Sequence, residues 1–259
     1  MSIKLNRCAI AAALAGLFLS SAANAVAIMD NGSEPSLNEL FQDWIVTGDP
    51  LDVNGPEQVT SSSWSIGSST LSAIGLVIEY AGNAALNTFG IYDLSDPTNR
   101  LELFAGANSA GNHSVLQYLG GNQFASVNLA TFTSSTATFS SSSFGFYLGT
   151  PTSTFYSDTS LNGGNNQMVA FQGDNERTTN FFGVGSATWL SNEWILAWED
   201  LAYGNSDKDF NDFVVSVESV NPDPTPVPEP TTLALLGSGL LASTIIKRRR
   251  NKKNAETAA

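Results

Sequence analysis

Apolar and polar residues alternate in short runs along most of the chain, and this pattern predicts β-strands. The clearest runs cover residues 194–198 and 213–217, where every second side chain is a large apolar one that can enter a core. Ile195 and Ala197 are apolar as well, which indicates a strand buried on both faces. Gly, Asn, Ser and Asp separate the other predicted strands, at residues 44–47, 74–80, 88–92, 101–104, 127–133, 136–139, 144–148 and 168–171.

Many short strands at near-regular spacing predict an all-β fold over residues 26–220, an antiparallel β-sandwich or jelly roll. This length is enough for one domain with a substantial core. One short helix is expected at residues 35–43, where Ser36 and Glu39 have the spacing of a capping box. The Ser/Thr-rich run at residues 131–143 is expected on the solvated surface, with Phe132 and Phe139 turned inward.

The first 25 residues have the composition of a secretory signal peptide, and we expect them to form an N-terminal signal helix. Lys4 and Arg7 precede the apolar run of residues 9–19, and small residues at 23–25 provide a cleavage site. The apolar run is too short for a permanent membrane span. The chain's one cysteine, Cys8, leaves with this peptide, so the mature protein has no disulfide and no thiol nucleophile.

The C-terminal end divides into three predicted segments. Residues 221–230 form a proline-rich linker of extended, polyproline-like conformation. Residues 231–250 are predicted to form an apolar helix that enters a membrane and ends in a basic cluster with Arg248, Arg249 and Arg250. Residues 251–259 are a polar tail. Because basic residues keep their end of an apolar helix in the cytoplasm, the preceding domain is expected to be exported.

Charge narrows the range of partners. Between residues 26 and 230 the chain has 23 acidic residues and only three basic ones, Arg100, Arg177 and Lys208. So negative a surface excludes nucleic acid and anionic membranes as partners. Divalent cations and neutral or basic partners, such as polysaccharide, remain open.

The loop between the two clearest strands is the candidate metal site. It contains five acidic residues and one amide, which are Glu199, Asp200, Asp207, Asp209, Asn211 and Asp212. Like charges on one short loop repel each other unless a cation lies among them, and Ca²⁺ prefers oxygen ligands of this kind. The alternative is a solvated loop whose Asp and Asn side chains form Asx-turns.

The D-x-D-x-N spacing of residues 207–211 matches the first ligand positions of an EF-hand loop, but an EF-hand is excluded. The sixth position of that loop requires glycine for a sharp turn, and Asp212 occupies it here. The residues that follow alternate as a strand and not as a helix. The calcium prediction therefore depends on the carboxylates alone.

The same loop carries a resemblance to a known family. W-E-D-L at residues 198–201, a gap containing Gly204, and D-x-D-F-N-D at residues 207–212 resemble the end of a domain of unknown function common in bacterial exported proteins. Residues 144–148, 155–158 and 161–164 are similar to an earlier part of that domain, so the resemblance covers residues 144–218. It implies a surface domain with a calcium loop, and because the family has no settled biochemical activity, it implies little more.

The C-terminus resembles the PEP-CTERM sorting signal, which exosortases read. The resemblance rests on Pro228, Glu229 and Pro230, followed by a short apolar helix and an arginine cluster. It implies a transient inner-membrane stop, cleavage near the Pro-Glu-Pro motif, and delivery to the cell surface or extracellular matrix of an exopolysaccharide-making Gram-negative bacterium. An ordinary tail anchor is the alternative.

We interpret the chain as non-enzymatic, because a metal would occupy its clustered carboxylates and because the sole histidine, His113, is expected in an exposed polar loop with no Gly-x-Ser-x-Gly elbow. The expected function is that of a calcium-binding surface or biofilm-matrix protein associated with exopolysaccharide. One alternative is a calcium-dependent, lectin-like polysaccharide-binding module, in which Trp189, Trp194, Trp198 and Tyr203 stack on sugars. A secreted glycan hydrolase and an ice-binding protein are further alternatives.

Overall fold

A computed structural model describes residues 25–30, 34–81 and 84–223 of the chain. The predicted signal helix, the sorting helix, the polar tail and most of the linker lie outside these residues. In the part of the chain that is described, no helix is both long and apolar enough to cross a membrane.

The regular secondary structure of the described region is mostly antiparallel β-strand, as predicted. One α-helix, α1, covers Leu37–Trp44, and short 3₁₀ turns occur at Ala84–Leu86 and Thr159–Asn162. The strands are β1 (Ile45–Thr47), β2 (Gln58–Val59), β3 (Trp64–Ile66), β4 (Leu71–Ile78), β5 (Thr88–Asp93), β6 (Asp96–Phe104), β7 (His113–Gly120), β8 (Gln123–Asn128), β9 (Thr133–Thr138), β10 (Ser143–Gly149), β11 (Thr154–Tyr156), β12 (Met168–Gln172), β13 (Thr178–Thr179), β14 (Ala187–Thr188), β15 (Glu193–Trp198), β16 (Phe213–Glu218) and β17 (Val220–Pro222).

The strands of the described region form three sheets. The largest has the order β2-β12-β15-β16-β4-β7-β8-β9. The second has the order β17-β3-β10-β5-β6, and β11 pairs with the C-terminal half of β10, from Tyr147 to Gly149. The third is a small sheet of β1, β13 and β14. In the largest sheet, β15 and β16 are central neighbours paired from Glu193↔Glu218 to Trp198↔Phe213, so the candidate loop connects two central strands.

One hydrophobic core contains side chains from both large sheets. Trp64 of the second sheet meets Trp194 of the first at 5.1 Å between ring centroids, and Phe89 meets Trp198 at 6.0 Å. These contacts close one face of β15 and β16. Two sheets that share a core in this way have the packing of a sandwich.

The opposite face of the same central strands is covered by α1 and the N-terminal segment. Ile195 and Ala197 lie in this second core together with Phe41 of the helix, whose ring is 5.1 Å from that of Phe171. Burial of β15 on both faces is therefore confirmed. The predicted capping box is present too, because Ser36 and Glu39 each accept a hydrogen bond from the other's backbone N–H.

Two element boundaries and the orientation of one side chain differ clearly from the sequence prediction. The strand expected at residues 127–133 is two strands, because β8 ends at Asn128 and a turn precedes β9. Phe132 lies in this turn with φ 56° and is 85% exposed, so its predicted inward orientation is wrong, whereas Phe139 is buried as expected. Strand β17 continues past Val220 to Pro222, so the first residues assigned to the linker belong to the sheet. Proline is tolerated there because β17 is an edge strand.

Candidate metal site

The candidate loop, residues 199–212, is held in an unusual backbone conformation. Lys208 and Phe210 have φ values of 67° and 55°, a left-handed region that non-glycine residues seldom adopt. Such a conformation persists only where the surroundings determine it. Phe210 supplies part of that constraint, since its side chain is fully buried in the core beneath α1. Backbone carbonyls of Lys208 and Asp209 also accept hydrogen bonds from the N–H groups of Met29 and Leu37, at 2.8 and 3.0 Å.

Glu199 organises the interior of the loop. Its side chain is fully buried at the end of β15, and its two carboxylate oxygens accept hydrogen bonds from Phe210 N at 2.6 Å and Lys208 N at 3.3 Å. Burial raises the pKa of this carboxyl, and the nearby charge of Asp207 adds to the effect. Each oxygen retains capacity to accept a further bond, so this carboxylate can shape the loop and bind a cation at the same time.

Three of the six predicted ligands converge. Oxygen atoms of Glu199, Asp207 and Asp209 all lie within 4.8 Å of one another, and among the described residues this is the one acidic triad so close. Glu199 and Asp209 are buried, whereas Asp207 is exposed, so the triad opens to solvent on one side. The pKa of Asp209 is raised to about 7, first by burial and then by the charges of Asp207 and Glu199. The three negative charges therefore repel one another strongly.

Asp200 and Asp212 belong to a different cluster. Asp212 Oδ2 accepts a hydrogen bond from the backbone N–H of Asp200 at 2.8 Å, and burial raises the pKa of Asp212 to about 8. The side chain of Asn87 lies on the other side of Asp200, with its Nδ2 3.4 Å from Asp200 Oδ2. Glu79 completes the cluster, and burial raises its pKa to about 7.

Asn211 is not one of the three converging residues, but it lies beside them and hydrogen-bonds to Asp209. Its Nδ2 donates to the Pro35 carbonyl at 2.8 Å and to Asp209 Oδ2 at 2.9 Å. Its backbone N–H also lies 3.3 Å from Asp209 Oδ1. The amide group therefore orients the Asp209 carboxylate and links the loop to the segment before α1.

Three residues near the two clusters were not among the predicted ligands. Glu34 is close enough to the triad for its charge to raise the pKa of Asp209. Glu79 and Asn87 flank β4 and β5 and join the second cluster. All three are more than a hundred residues from the loop, and each stands in a local sequence with no metal-binding spacing. Only the pairing of β16 with β4 brings Glu79 to this position.

Basic side chains of the described region are engaged elsewhere. The Lys208 ammonium lies 4.6 Å above the ring of Tyr203. Arg177 is paired at 2.8 Å with both Glu57 and Asp174. Arg100 bonds to the Tyr156 hydroxyl and packs over that ring. None of these three contacts involves Glu199 or Asp209, so the two buried carboxylates of the triad obtain no charge compensation from them.

The other candidate residues lie apart from the loop. His113 begins strand β7 and does not lie in a loop as expected; it is exposed, with its ring 5.1 Å from that of Phe182. Trp189, Trp194 and Trp198 are at most 2% exposed. Their rings are packed in the two cores, so they cannot stack on a sugar in this conformation.

The site and the fold together define an antiparallel β-domain with a buried, oxygen-rich acidic loop. Residues 121–220 match the family described as a domain of unknown function, DUF4114, and residues 226–250 match the PEP-CTERM protein-sorting motif. Both predicted resemblances are thereby confirmed, and the domain match extends further upstream than residue 144. No curated protein and no solved structure gives a significant match.

The sorting motif shows the destination of the chain. A PEP-CTERM signal marks an exported protein that is transiently anchored in the membrane and then sorted to the cell surface, and an exosortase generally processes it. The domain family adds no known activity. The molecular task of the exported domain must therefore be argued from its own geometry.

Proposed function

We propose that the chain is a non-enzymatic cell-surface or biofilm-matrix protein whose β-domain is stabilised by Ca²⁺ bound at Glu199, Asp207 and Asp209. The observation that carries the proposal is the convergence of these three side chains, whose ligand atoms lie within 4.8 Å of one another although two of them are buried. Buried carboxylates are costly unless paired or bound to a metal.

The chemistry of the ligands favours calcium over other metals. Every candidate ligand atom is a carboxylate oxygen, and the chain beyond its signal peptide contains no cysteine and one distant histidine. Hard oxygen ligands without nitrogen or sulfur suit Ca²⁺ and Mg²⁺. The triad is open on the side of Asp207, which leaves room for water and additional oxygen ligands. Ca²⁺ is larger than Mg²⁺ and requires more such ligands, so the opening favours Ca²⁺. Calcium sites of extracellular modules bind with Kd values of about 10⁻⁴–10⁻³ M.

A structural role fits the position of the site better than a catalytic one. Glu199 already accepts two backbone hydrogen bonds, and Asp209 accepts one from the Asn211 amide, so these carboxylates are fixed within the loop. A cation among them would join the ends of β15 and β16 to the segment before α1. It would thus connect the two cores of the domain.

The test is thermal unfolding of the full-length chain in millimolar Ca²⁺ and in chelator. If Kd is about 10⁻⁴–10⁻³ M, 10 mM Ca²⁺ is roughly a 10- to 100-fold excess, and binding to the native state alone raises the free energy of unfolding by about 1.4–2.7 kcal/mol. For Asp209→Asn we expect a folded protein without the calcium-induced shift. In chelator this variant should be at least as stable as the wild type, because one of three repelling charges is gone.

The matched control is Glu176→Gln, which removes one negative charge from an exposed turn outside the loop. It should retain the full calcium shift. Wild-type melting curves that coincide in calcium and in chelator would refute the proposal. A shift that survives unchanged in Asp209→Asn would refute the assignment of the ion to this triad.

A further inference from the structure

One edge of the largest sheet is open. Strand β9 ends that sheet, and no strand of the described region pairs with its other side. The N–H of Phe139, just past β9, donates to the carbonyl of Asn122, just before β8, at 2.9 Å. Because backbone groups alternate sides along a strand, those of Ser134 and Thr136 point away from β8. The N–H and C=O groups of these two residues therefore face a place that another strand can occupy.

A side chain of β6 already uses this edge at one point. Asn99 Nδ2 donates to the Thr138 carbonyl at 2.9 Å, and this carbonyl is the next one along β9 that points away from β8. The contact agrees with the alternation of the backbone groups. It also covers the C-terminal end of the edge, so the open part is centred on residues 134–136.

The other strands that end the two large sheets are protected from pairing, whereas β9 is not. Strands β2 and β17 have two and three residues, and β17 ends in Pro222. Strand β6 contains Pro97 together with acidic and basic residues. Strand β9 has six residues, of which five are exposed, and none is proline or charged. Short length, proline and charge are the usual features that prevent pairing edge to edge, and β9 has none of them.

The charge of the chain indicates what occupies the open edge. Residues 26–230 have a net charge of −20, yet residues 103–157 contain no aspartate, glutamate, lysine or arginine. This uncharged stretch includes β7, β8, β9 and β10. Two copies of the chain repel each other over most of their surfaces, and they meet at the lowest electrostatic cost where this stretch is exposed. A second copy, with the same uncharged strand, is therefore a complementary partner.

Exposed apolar side chains accompany the open edge. Phe132 directly precedes β9, is 85% exposed and has a φ value of 56°. Leu129, in the same turn between β8 and β9, is 45% exposed. Large apolar side chains held together in solvent are typical of interaction sites. A strand added to β9 would bring apolar cover to this turn as well.

We propose that β9 pairs antiparallel with β9 of a second copy, across a two-fold axis at Ser135. This register places Ser134 of each copy opposite Thr136 of the other, so that the outward N–H and C=O groups of both residues are paired. The two eight-stranded sheets become one continuous sheet. Because the two-fold axis uses both open edges, the assembly closes at a dimer. This dimer does not require the calcium site.

The first test is sedimentation velocity of the full-length chain over a range of concentrations. Thr136→Pro removes the N–H that points away from β8 and leaves the bonds between β8 and β9 intact. We expect the dissociation constant of the dimer to rise at least about tenfold, because the two-fold axis makes each variant dimer lose two hydrogen bonds. The matched control Thr136→Ala keeps the N–H and should dimerise as the wild type does. Asp209→Asn should also dimerise normally, which separates this result from the calcium proposal.

A disulfide tests the register independently. In the proposed dimer, Ser135 lies opposite its own copy in a non-hydrogen-bonded pair, whose Cα atoms are about 4.5 Å apart and within the range of a disulfide. The chain's one cysteine is Cys8, so Ser135→Cys in a Cys8→Ser background has a single thiol. It should form a cross-linked dimer under mild oxidation. Ser160→Cys, an exposed position away from β9, is the control and should remain uncross-linked.

Three outcomes would overturn the proposal. A wild type that stays monomeric at every concentration would leave the edge to a strand of a different chain. Dimerisation of Thr136→Pro with wild-type affinity would show that the copies meet at another surface. If Thr136→Pro fails to fold, the disulfide decides, and cross-linking of Ser135→Cys no faster than that of Ser160→Cys would refute the pairing.

Discussion

Glu199 shows how one buried carboxylate can determine the conformation of a whole loop. Its two oxygens accept the N–H groups of Lys208 and Phe210, the same two residues that have positive φ values. A left-handed conformation costs a non-glycine residue about 1–2 kcal/mol. Charge-assisted hydrogen bonds contribute roughly 1.5–3 kcal/mol each, which is enough to hold both residues in place. The conformation of the loop thus depends on this carboxylate before any cation binds.

Asp93 has a comparable role in the turn between β5 and β6. Burial alone would raise its pKa, but its carboxylate accepts hydrogen bonds from the backbone N–H and hydroxyl groups of Ser95 and Ser140, and the resulting pKa is lower than usual. A carboxyl whose pKa is lowered by folding stabilises the native state above its unfolded pKa, near 4. That contribution disappears as the pH falls through the lower pKa of the folded state.

For Asp93→Asn we therefore expect the free energy of unfolding at pH 7 to fall by about 1–3 kcal/mol, because an amide cannot accept all four bonds. Denaturant unfolding of the wild type and the variant at pH 7 and pH 3 measures this loss of free energy. The difference between wild type and variant should shrink at pH 3, because this pH lies below the unfolded pKa and part of the contribution of the carboxylate is then lost. A difference that is the same at both pH values would show that the loss comes from packing and not from charge.

At the scale of elements, α1 acts as a cover for the central strands and as a support for the loop. Its residues pack on the outer face of β12 and β15, and the N–H of Leu37 at its start donates to the Asp209 carbonyl. The helix has only eight residues, so it is too short to be stable alone. Its stability depends on this packing and on the capping box at Ser36.

Ser36→Ala removes the hydroxyl that accepts the Glu39 N–H, and we expect it to lower the free energy of unfolding by about 1 kcal/mol. Chemical denaturation measures the loss. Glu39→Gln is the matched control, because its side-chain amide still offers an oxygen to the Ser36 N–H and should cost less. Equal stability of Ser36→Ala and the wild type would show that packing alone fixes the helix. The calcium shift should persist in both variants, since neither residue is a ligand.

Elements with a strong local pattern could be predicted from the sequence, and long-range partners could not. The run of residues 194–198 predicted a strand buried on both faces because each of its positions carries an apolar side chain. The capping box was equally local. By contrast, the six predicted ligands of the loop divide into two clusters according to the side of the loop that each faces. A local sequence pattern does not show that side. Glu79 and Asn87 enter only through the pairing of β16 with β4 and of β5 with β10.

At the scale of the whole molecule, the strong negative charge of residues 26–230 is related to the export of this segment. The segment between residues 26 and 230 has a net charge of −20, and self-repulsion of this size destabilises a compact state. The sorting signal places this segment outside the cytoplasm. Under the calcium proposal, the domain acquires its compensating cation only after export, and its full stability is then expressed only at its destination.

The chain itself supplies a probe for this dependence on calcium. Lys208 is the one lysine between residues 26 and 230, and it lies in the loop, partly exposed and with a positive φ. A lysine-specific endoprotease therefore reports on the opening of this loop and on nothing else in the domain. We expect rapid cleavage after Lys208 in chelator and at least about tenfold slower cleavage in 10 mM calcium, because a bound cation restricts local unfolding. Lys208→Gln should resist cleavage under both conditions. Equal cleavage rates of the wild type in calcium and in chelator would show that no cation holds the loop closed.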